Sequence, residues 1–275
     1  MRNIPATANV LLLNGRAQRV KIATFNVNGV NGRLTVLLRW LAEASPDIVC
    51  LQELKAPQGK FPAAALRSAG YEAAWLGQPR WNGVAILSRV GAIHPTHAGL
   101  PDDPDPGQRR YLEAAVNGVI VATLYLPNGN PRPGARFDYK LAWFDALIAR
   151  ARFLINSGAP VVLAGDFNVM PTPRDVYKPE RWVDDALFAP EVRTAFARLT
   201  AQGWTDALRT RKPTGGVWTF WDYQAGAWQR DAGFRIDHLL LSPAVADRLV
   251  DAGVDKAYRG REKASDHAPT WVRLR

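Results

Sequence analysis

The sequence predicts an α/β fold, specifically an α/β sandwich with mixed β-sheets. Short β-type runs alternate with helical patterns, which indicates helix crossovers between parallel strands. The runs at 112–116 and 118–125 follow each other almost directly, which is typical of an antiparallel hairpin. Because both kinds of connection occur, a purely parallel doubly wound sheet is disfavoured.

The strands are predicted from β-branched or apolar runs that are bounded by Gly, Pro or Asn. The predicted strands cover residues 20–27, 47–52, 72–76, 83–88, 112–116, 118–125, 160–165, 217–221, 235–241 and 269–274. Two Pro-containing stretches are predicted to be surface loops: 100–110, which is rich in Asp, and 127–135, which contains Gly and Asn.

Helices are predicted where apolar residues recur three and four positions apart. The predicted helices cover residues 33–44, 62–69, 136–155 and 190–202. Ser45 precedes Pro46, and a residue before proline disfavours the α region, so the first helix is expected to end there.

The composition favours one domain with a polyanionic partner. The chain has 275 residues, 47% of them hydrophobic, and no Ser- or Gly-rich linker divides it. The formal net charge of +10 favours nucleic acid or a membrane surface as the partner. No apolar run approaches the roughly 18 residues of a membrane span. The single cysteine, Cys50, lies in an apolar run and suits a reducing compartment, so a cytoplasmic location is expected.

Residues 1–19 are expected to form a flexible N-terminal extension, because the first clear strand begins near Val20. The apolar stretch from Val10 to Leu13 is too short for the core of a signal peptide. A start codon assigned too far upstream would explain the segment equally well. The catalytic domain is therefore expected to span residues 20–275.

Polar side chains that suit a hard cation follow two predicted strands. Asn28 and Glu53 offer oxygen ligands of the kind that Mg²⁺ prefers. A carboxylate directly after a buried strand needs a metal or a cationic partner, and Lys55 is the alternative partner for Glu53. A zinc site is disfavoured, because the chain has one Cys and its 4 His show no zinc spacing.

Acid, amide and imidazole groups lie at other strand ends. Asp166 is placed to act as a general base, and Asn168 can hold a water molecule or a phosphate oxygen. Asp266 and His267 are adjacent, and Asp237 can orient and stabilise an imidazolium. Each motif alone is also compatible with an ordinary turn. Together with a cation and a basic surface, the set fits phosphodiester hydrolysis.

Seven short motifs occur in a recognisable order. They are Phe25-Asn26-Val27-Asn28-Gly29, Leu51-Gln52-Glu53-Leu54-Lys55, Tyr125-Leu126-Pro127-Asn128-Gly129, Gly165-Asp166-Phe167-Asn168, Trp218-Thr219-Phe220-Trp221-Asp222-Tyr223, Arg235-Ile236-Asp237-His238 and Ser265-Asp266-His267-Ala268-Pro269. With them the chain resembles the exonuclease III-type abasic (AP) endonucleases of the DNase I-like endonuclease/exonuclease/phosphatase superfamily. The resemblance runs from about Val20 to the C-terminus. It implies a four-layer α/β sandwich, in which two mixed β-sheets are flanked by helices and the site lies at one end.

The resemblance also implies roles for the metal-binding side of the site. Glu53 matches the principal metal ligand of the family, and Asn28 and Asp266 match residues that complete the metal surroundings. Some family members have Asp where this chain has Asn28, so one negative charge is missing and the number of metal ions stays open. Lys55 matches a lysine near these carboxylates. The implied cation is Mg²⁺, with Mn²⁺ as a substitute.

Further roles are implied for the residues around the phosphate. Asp166 matches the residue that activates water, with Asn168 beside it, and His267 matches the imidazole that contacts the scissile phosphate, with Asp237 as its paired carboxylate. Tyr125 matches a phenol close to the phosphate, and its role as donor or phenolate stays open. The polar side chains that support the site or hold phosphate are Asn26 and Asn128.

An apolar pocket and several basic residues are implied for DNA. Phe220, Phe234 and Ile236 match residues that line a pocket for a flipped-out abasic sugar, which offers no base for hydrogen bonding. Trp218 is expected in the core, and Trp221 is expected to pack behind the pocket. The basic residues expected to hold backbone phosphates are Arg109, Arg110 and Arg174.

The sequence therefore predicts a Mg²⁺-dependent DNA repair nuclease that acts as a monomer on double-stranded DNA without sequence preference. The resemblance implies cleavage 5′ to abasic sites, and it extends to 3′→5′ exonuclease and 3′-phosphatase or phosphodiesterase activity. Two alternatives remain at this point. One is a phosphoesterase of the same superfamily with another substrate, such as a lipid or inositol phosphate. The other is a non-catalytic nucleic-acid-binding regulator on the same fold.

Overall fold

Two six-stranded mixed β-sheets pack face to face in the computed structural model, which describes residues 19–275. The strands are β1 (Val20–Asn26), β2 (Ile48–Gln52), β3 (Glu72–Leu76), β4 (Val84–Ser88), β5 (Ile93–Ala98), β6 (Tyr111–Val116), β7 (Val119–Tyr125), β8 (Val161–Asp166), β9 (Thr205–Asp206), β10 (Asp237–Leu241), β11 (Leu249–Val254) and β12 (Thr270–Leu274). The first sheet has the order β11-β12-β1-β2-β4-β3, and the second has the order β5-β6-β7-β8-β10-β9. The expected N-terminal extension lies outside the described residues, except for Arg19.

The helices connect and cover these sheets. They are α1 (Leu34–Ala44), α2 (Ala63–Ser68), α3 (Ala135–Asn156), α4 (Pro190–Thr200), α5 (Ala207–Arg211) and α6 (Pro243–Ala246). β1 and β2 are parallel and joined across α1, and β7 and β8 are parallel and joined across α3, because parallel neighbours need a crossover. The helices formed by residues 19–275 include none with the length and apolar character that a membrane crossing requires.

The two sheets and their helices form four layers around three apolar clusters. Between the sheets, Ile22 and Ile86 of the first sheet pack with Val121 and Leu239 of the second. The outer face of the first sheet buries a cluster that includes Trp40 of α1. The outer face of the second sheet packs on α3 and α4 through a cluster of Trp143, Leu147, Phe196 and other apolar side chains. The expected four-layer sandwich is therefore confirmed.

Buried polar side chains also join the sheets near one end of the sandwich. Gln52 of β2 donates from Nε2 to Oγ1 of Thr123 on β7 at 2.9 Å, and its Oε1 accepts from Oγ1 of Thr24 on β1 at 3.2 Å. Each of these groups is fully buried, so an unmade hydrogen bond would carry a desolvation cost of about 1–3 kcal/mol. These bonds therefore favour one relative placement of the two sheets.

The predictions that fail concern short or edge elements. The predicted strand at 217–221 is wrong, because this segment forms only isolated bridges, from Phe220 to Phe234 and to His267. β5 and β11 were not predicted; both lie at sheet edges, where one neighbour suffices and residues such as Pro95 are tolerated. The two-residue β9 and the short α5 and α6 were also not predicted, since segments of this length carry too little periodicity.

Candidate active site

Polar residues at the ends of several strands meet at one end of the sandwich. β1 and β2 end side by side there, and so do β7 and β8, where Tyr125 pairs with Asp166. β10 runs antiparallel to β8, so its first residue, Asp237, also pairs with Asp166. His267 lies just before β12, next to β1. The topology thus gathers residues from six strand ends, in agreement with the location that the resemblance implies.

The Asn26 side chain joins the two sheets at the centre of this site. Its Nδ2 donates to Oε1 of Glu53 at 2.9 Å and to Oδ2 of Asp166 at 3.0 Å. Its Oδ1 accepts from the backbone N–H of Asn28 at 3.0 Å. Asn26 is fully buried, and these bonds use both N–H groups of the amide and its oxygen. One amide therefore sets the position of the expected metal ligand relative to the expected base.

Oxygen atoms converge around a cation on one side of Asn26. The Lys55 ammonium lies 2.7 Å from Oε2 of Glu53 and 2.6 Å from Oδ1 of Asn28. Asn28 in turn donates from Nδ2 to Oδ1 of Asp266 at 3.0 Å. Burial opposes the ionisation of Glu53, but Lys55 and the Asn26 amide outweigh burial and hold its pKa below the ordinary value. The ammonium shows that these hard oxygen donors fit a cation, and Mg²⁺ prefers such donors.

Strained backbone conformations also occur at this place. Three residues of this side, Asn28, Glu53 and Lys55, have positive φ values of 46°, 51° and 49°. Such conformations cost about 1–3 kcal/mol each for residues with a side chain. Backbone bonds hold these residues. Gly29 N–H donates to the Glu53 carbonyl at 2.8 Å, and Lys55 N–H donates at 2.9 Å to the carbonyl of Asn82, which lies in the segment before β4. The strained loops therefore aim the oxygen ligands at one point.

A buried acid and imidazole group lies on the other side of Asn26. His267 Nδ1 is 2.9 Å from Oδ2 of Asp237, and its Nε2 is 3.7 Å from Oδ2 of Asp166. Burial disfavours the charge on His267, but Asp237 and then Asp166 overcome burial and raise its pKa to about 10. Burial raises the pKa of Asp166 to about 7, with Asp237 adding to the rise and His267 opposing it. The pair therefore combines the protonated imidazole of His267 with the carboxyl group of Asp166, whose pKa is close to neutral pH.

Two groups of residues could hold a metal. Ligand atoms of Asp166, Asp237 and His267 lie within 4.8 Å of one another, so an acidic and histidine cluster is present. The raised pKa of His267 favours its protonated form, which offers only donors, and its Nδ1 is already engaged with Asp237. The oxygen-rich group around Glu53 is therefore the better fit for a hard divalent cation, and the His267 group is the better fit for phosphate oxygens.

The asparagines and the phenol complete the phosphate side. Asn168 is buried, donates from Nδ2 to the Leu126 carbonyl at 2.8 Å, and donates its backbone N–H to Oδ1 of Asp166 at 2.9 Å. Asn128 is exposed, and its Nδ2 lies 3.4 Å from Oδ1 of Asn168. Burial raises the pKa of Tyr125 well above its ordinary value, and Glu53 and Asp166 add to this rise. Tyr125 is therefore a neutral phenol that can donate a hydrogen bond.

The three expected pocket residues lie together beside His267. Phe220 stacks on Phe234 at a centroid distance of 5.4 Å and meets the His267 ring edge-on at 4.9 Å. Phe234 and Ile236 are buried in an apolar cluster with Met170 and other side chains, and Phe220 is half-buried against it. Phe220 is thus the ring of this group that lies at the surface of the cluster.

The two tryptophans behave differently from each other. Trp221 is fully buried, packs edge-on against Trp228 and donates from Nε1 to Asp231 at 2.8 Å. That Trp221 packs behind the pocket stays a prediction. The expectation that Trp218 belongs to the core is wrong. Trp218 is only half-buried, because it lines an open groove beside Lys212 and Trp271.

The three expected phosphate-binding arginines occupy different settings. Arg109 and Arg174 are exposed. Arg110 is half-buried, lies over the Tyr125 ring at 4.9 Å and donates to the Tyr125 carbonyl at 3.2 Å. Arg110 thus contacts an active-site residue directly, whereas the Arg109 and Arg174 side chains are exposed to solvent.

Sequence reasoning did not single out some residues that touch the site. Trp81 is 71% exposed, and its ring centroid lies 5.8 Å from the Lys55 ammonium. The Ser265 hydroxyl donates to the Asn26 carbonyl at 2.7 Å and accepts from the His267 backbone N–H at 3.2 Å. Thr219 accepts from the backbone N–H groups of Ile236 and Asp237, each at 3.1 Å. Ser265 and Thr219 lie inside recognised motifs, but nothing in the sequence indicated that Trp81 would be exposed.

Known proteins match the whole of this architecture. A model of the endonuclease/exonuclease/phosphatase family matches residues 23–267. The exodeoxyribonuclease III of Haemophilus influenzae is 30% identical over 268 residues, which cover 93% of this chain and 100% of the relative. An AP endonuclease structure from Archaeoglobus fulgidus has a TM-score of 0.89 and 35% identity, and covers 93% of this chain and 99% of its own.

A Neisseria enzyme is similar in both sequence and structure. The 3′-5′ exonuclease NExo from Neisseria meningitidis has a TM-score of 0.90 and 44% identity, over 93% of this chain and 99% of its own. NExo from Neisseria is also described as a 3′ phosphatase in a structure with a bound product DNA hairpin, with a TM-score of 0.89 and 43% identity over the same shares of the two chains.

The protonation of His267 gives a test of this geometry that needs no substrate. Replacing Asp237 with Asn removes the charge that most raises the His267 pKa, so this pKa should fall from about 10 by about 1–3 units. The measurement is an NMR titration of the histidine rings, with the His267 signal assigned from a His267→Gln variant. An unchanged His267 pKa in Asp237→Asn would contradict the assigned pairing.

Proposed function

The chain belongs to the endonuclease/exonuclease/phosphatase family as an exodeoxyribonuclease III-type member, and from this premise we propose that it is a Mg²⁺-dependent DNA repair nuclease. Its substrate is double-stranded DNA, which it cuts 5′ to abasic sites, leaving a 3′-hydroxyl. It also removes 3′-phosphates and nucleotides from 3′ ends. The proposal includes action as a monomer in the cytoplasm, a reducing compartment that suits the buried Cys50.

The proposal depends on one observation, the position of the Asn26 amide. This amide donates both to Glu53, the carboxylate that would bind the cation, and to Asp166, the buried base. Asp166 in turn lies next to the protonated imidazole of His267. Phosphodiester hydrolysis needs a neutralised phosphate, a deprotonated water and fixed donors for the developing charge. The three requirements match Glu53, Asp166 and His267 in turn.

Each residue of the site has its own role in the proposed reaction. His267 Nε2 donates to a non-bridging phosphate oxygen, and the amides of Asn128 and Asn168 and the phenol of Tyr125 supply further donors. Asp166 accepts the proton of the attacking water, for which a pKa of about 7 is well matched. Glu53, Asn28 and Asp266 would hold Mg²⁺, which, when bound, neutralises phosphate charge and stabilises the leaving oxygen. Asp237 keeps the imidazole protonated and oriented.

Duplex DNA is supported as the substrate by charge and by the relatives. A net charge of +10 favours a polyanion, and exposed Arg109 and Arg174 can contact backbone phosphates without reading bases. The relatives include an exodeoxyribonuclease, an AP endonuclease and an exonuclease solved with a DNA hairpin. The printed activities of these relatives favour DNA over a lipid or inositol phosphate, and a non-catalytic regulator would have no use for the assembled acid and imidazole group.

The first test compares labelled duplexes that carry an internal abasic analogue, a 3′-phosphate or intact ends, with Mg²⁺ or with EDTA. We expect 3′-hydroxyl products from the first two duplexes and stepwise shortening of the third, and EDTA should abolish all three reactions.

The metal ligand is tested by Glu53→Gln. This variant should need a higher Mg²⁺ concentration for activity and reach a lower maximum rate, whereas Glu72→Gln, at an exposed position, should not. Undiminished cleavage in EDTA would rule out the metal mechanism. Binding without cleavage would favour the regulator, and hydrolysis of an inositol phosphate alone would favour the other phosphoesterase.

Asp166→Asn tests the base. The amide keeps the shape of the carboxylate but cannot accept the proton from water. Loss of a general base costs about 10²–10⁴-fold in rate, so we expect a fall in kcat of this size with DNA binding retained. Asp145→Asn, at an exposed position on α3, serves as the control. Full activity of the purified Asp166→Asn protein would remove Asp166 from this role.

The pocket is tested by Phe220→Ala and Phe234→Ala. Burying an aromatic ring is worth about 1.5–3 kcal/mol, and only part of this is contact with the sugar. We expect roughly a tenfold or greater loss of kcat/KM on abasic DNA, with binding to undamaged duplex little changed. Because Phe234 is buried, its truncation should also lower stability by about 3–5 kcal/mol. Melting curves and kcat/KM on abasic and 3′-phosphate substrates are the measurements. A stability loss in both variants with no change in substrate preference would refute the pocket.

A further inference from the structure

A buried lysine lies directly behind two of the active-site asparagines. Lys140, near the start of α3, is fully buried, and it is the only buried lysine among residues 19–275. Its ammonium donates to the Asn128 carbonyl at 2.9 Å and to the Asn168 carbonyl at 2.6 Å. Within the part of the chain that the structure describes, it makes no salt bridge.

An ammonium without a carboxylate partner is costly to bury, and hydrogen bonds must offset the cost. Burial lowers the pKa of Lys140 to about 7, although Asp166 and Asp185 favour its charged form. An apolar side chain of similar length would fill the same space without this cost. The two carbonyl contacts are therefore the feature of Lys140 that an apolar residue could not reproduce.

The two carbonyls belong to loops that follow the parallel strands β7 and β8. Asn168 has a positive φ of 46°, and its side chain is bonded to the Leu126 carbonyl in the neighbouring loop. Asn128 contacts Asn168 through its amide at 3.4 Å. Apart from these side-chain bonds, the Lys140 ammonium is a direct link between the backbones of the two loops.

The packing around the lysine stem is equally close. Gly129 has a φ of +87°, and a Cβ placed on it would lie 2.5 Å from Cδ of Lys140 and 3.3 Å from the Ala186 side chain. Only glycine allows the loop to pass this close to the stem. The aliphatic part of the Lys140 side chain therefore packs against the loop at Gly129, while the ammonium donates to the Asn128 and Asn168 carbonyls.

We propose that Lys140 is a positioning residue that fixes Asn128 and Asn168 relative to each other and so places their amides on the scissile phosphate. The inference rests on the proposed function, because that function assigns the two asparagines to phosphate. Lys140 touches neither substrate nor metal. It acts through the backbones of the two loops.

The test uses the full-length protein with Lys140→Met, which keeps the length of the side chain, Lys140→Arg, which keeps the charge and the donors, and Arg152→Met as a control. Arg152 is exposed on the same helix, so its variant removes an equal charge outside the site. Kinetics are measured on 3′-phosphate and abasic duplexes, and inorganic phosphate is used as an inhibitor. Hydrogen exchange is followed in segments 126–130 and 166–170.

For Lys140→Met we expect kcat to fall roughly 10- to 100-fold, the size of effect seen when a fixed donor is misplaced. KM for DNA should stay within about threefold, because phosphates outside the site dominate binding. The inhibition constant of phosphate should rise, and exchange in both segments should increase. Lys140→Arg should recover most of kcat, and Arg152→Met should resemble the wild type.

Two results would overturn the proposal. One is a folded Lys140→Met protein with wild-type kcat and wild-type exchange in the two segments. The other is a loss of melting temperature in which kcat and KM worsen together and Lys140→Arg restores nothing, since this marks a purely structural residue. If Lys140→Met does not fold, Lys140→Gln, which keeps one donor, is judged by the same criteria. A wild-type protein inactive on every DNA substrate would refute the proposed function instead, and exchange in the two segments would still decide the role of Lys140.

Discussion

The active site depends on the hydrogen bonds of one amide, the side chain of Asn26. It lies at the end of β1 in the first sheet and reaches Asp166 at the end of β8 in the second, while also holding Glu53. Because a buried amide must satisfy all its groups, these bonds restrict how the two sheets can slide at this end. The bond from Gln52 on β2 to Thr123 on β7 is a second polar link between the two sheets near this end. The distance between the cation side and the base is therefore a property of the whole sandwich.

Charged groups form two clusters in the site, one on each side of Asn26. On one side, strained loops aim oxygen atoms at a cation, and Lys55 lies among them. On the other side, Asp237 keeps the buried His267 protonated, and the Nε2 atom of His267 lies 3.7 Å from Oδ2 of Asp166. Burial strengthens the electrostatic interactions among these groups. The same burial leaves Asp166 able to take a proton near neutral pH.

Buried ion pairs connect the apolar cluster to this arrangement. Arg235 is almost fully buried and donates to Asp175 at 2.6 Å and to Asp206 at 2.7 Å. It immediately precedes Ile236 and Asp237 in the chain, whereas Asp175 lies in the loop that contributes Val176 to the cluster. Burial opposes the ionisation of Asp175, but Arg235 outweighs it and keeps its pKa below the ordinary value. The Arg235 guanidinium therefore joins the loop that carries Val176 of the apolar cluster to the start of β10. The first residue of β10 is Asp237, the hydrogen-bond partner of His267.

The α/β class and the central strands follow from local periodicity, and the identity of the acidic, amide and imidazole residues follows from motifs within a few positions. The four layers were implied by the family resemblance that these motifs carry. Short edge strands escaped prediction, since β5 and β11 show no clear alternation. Three properties are visible only in the folded protein: Trp218 is half-buried, Trp81 is exposed beside Lys55, and Tyr125 is a neutral phenol. Burial and protonation arise from contacts between residues far apart in the chain, such as Asn26 and Asp166, and no local pattern encodes the distance between them.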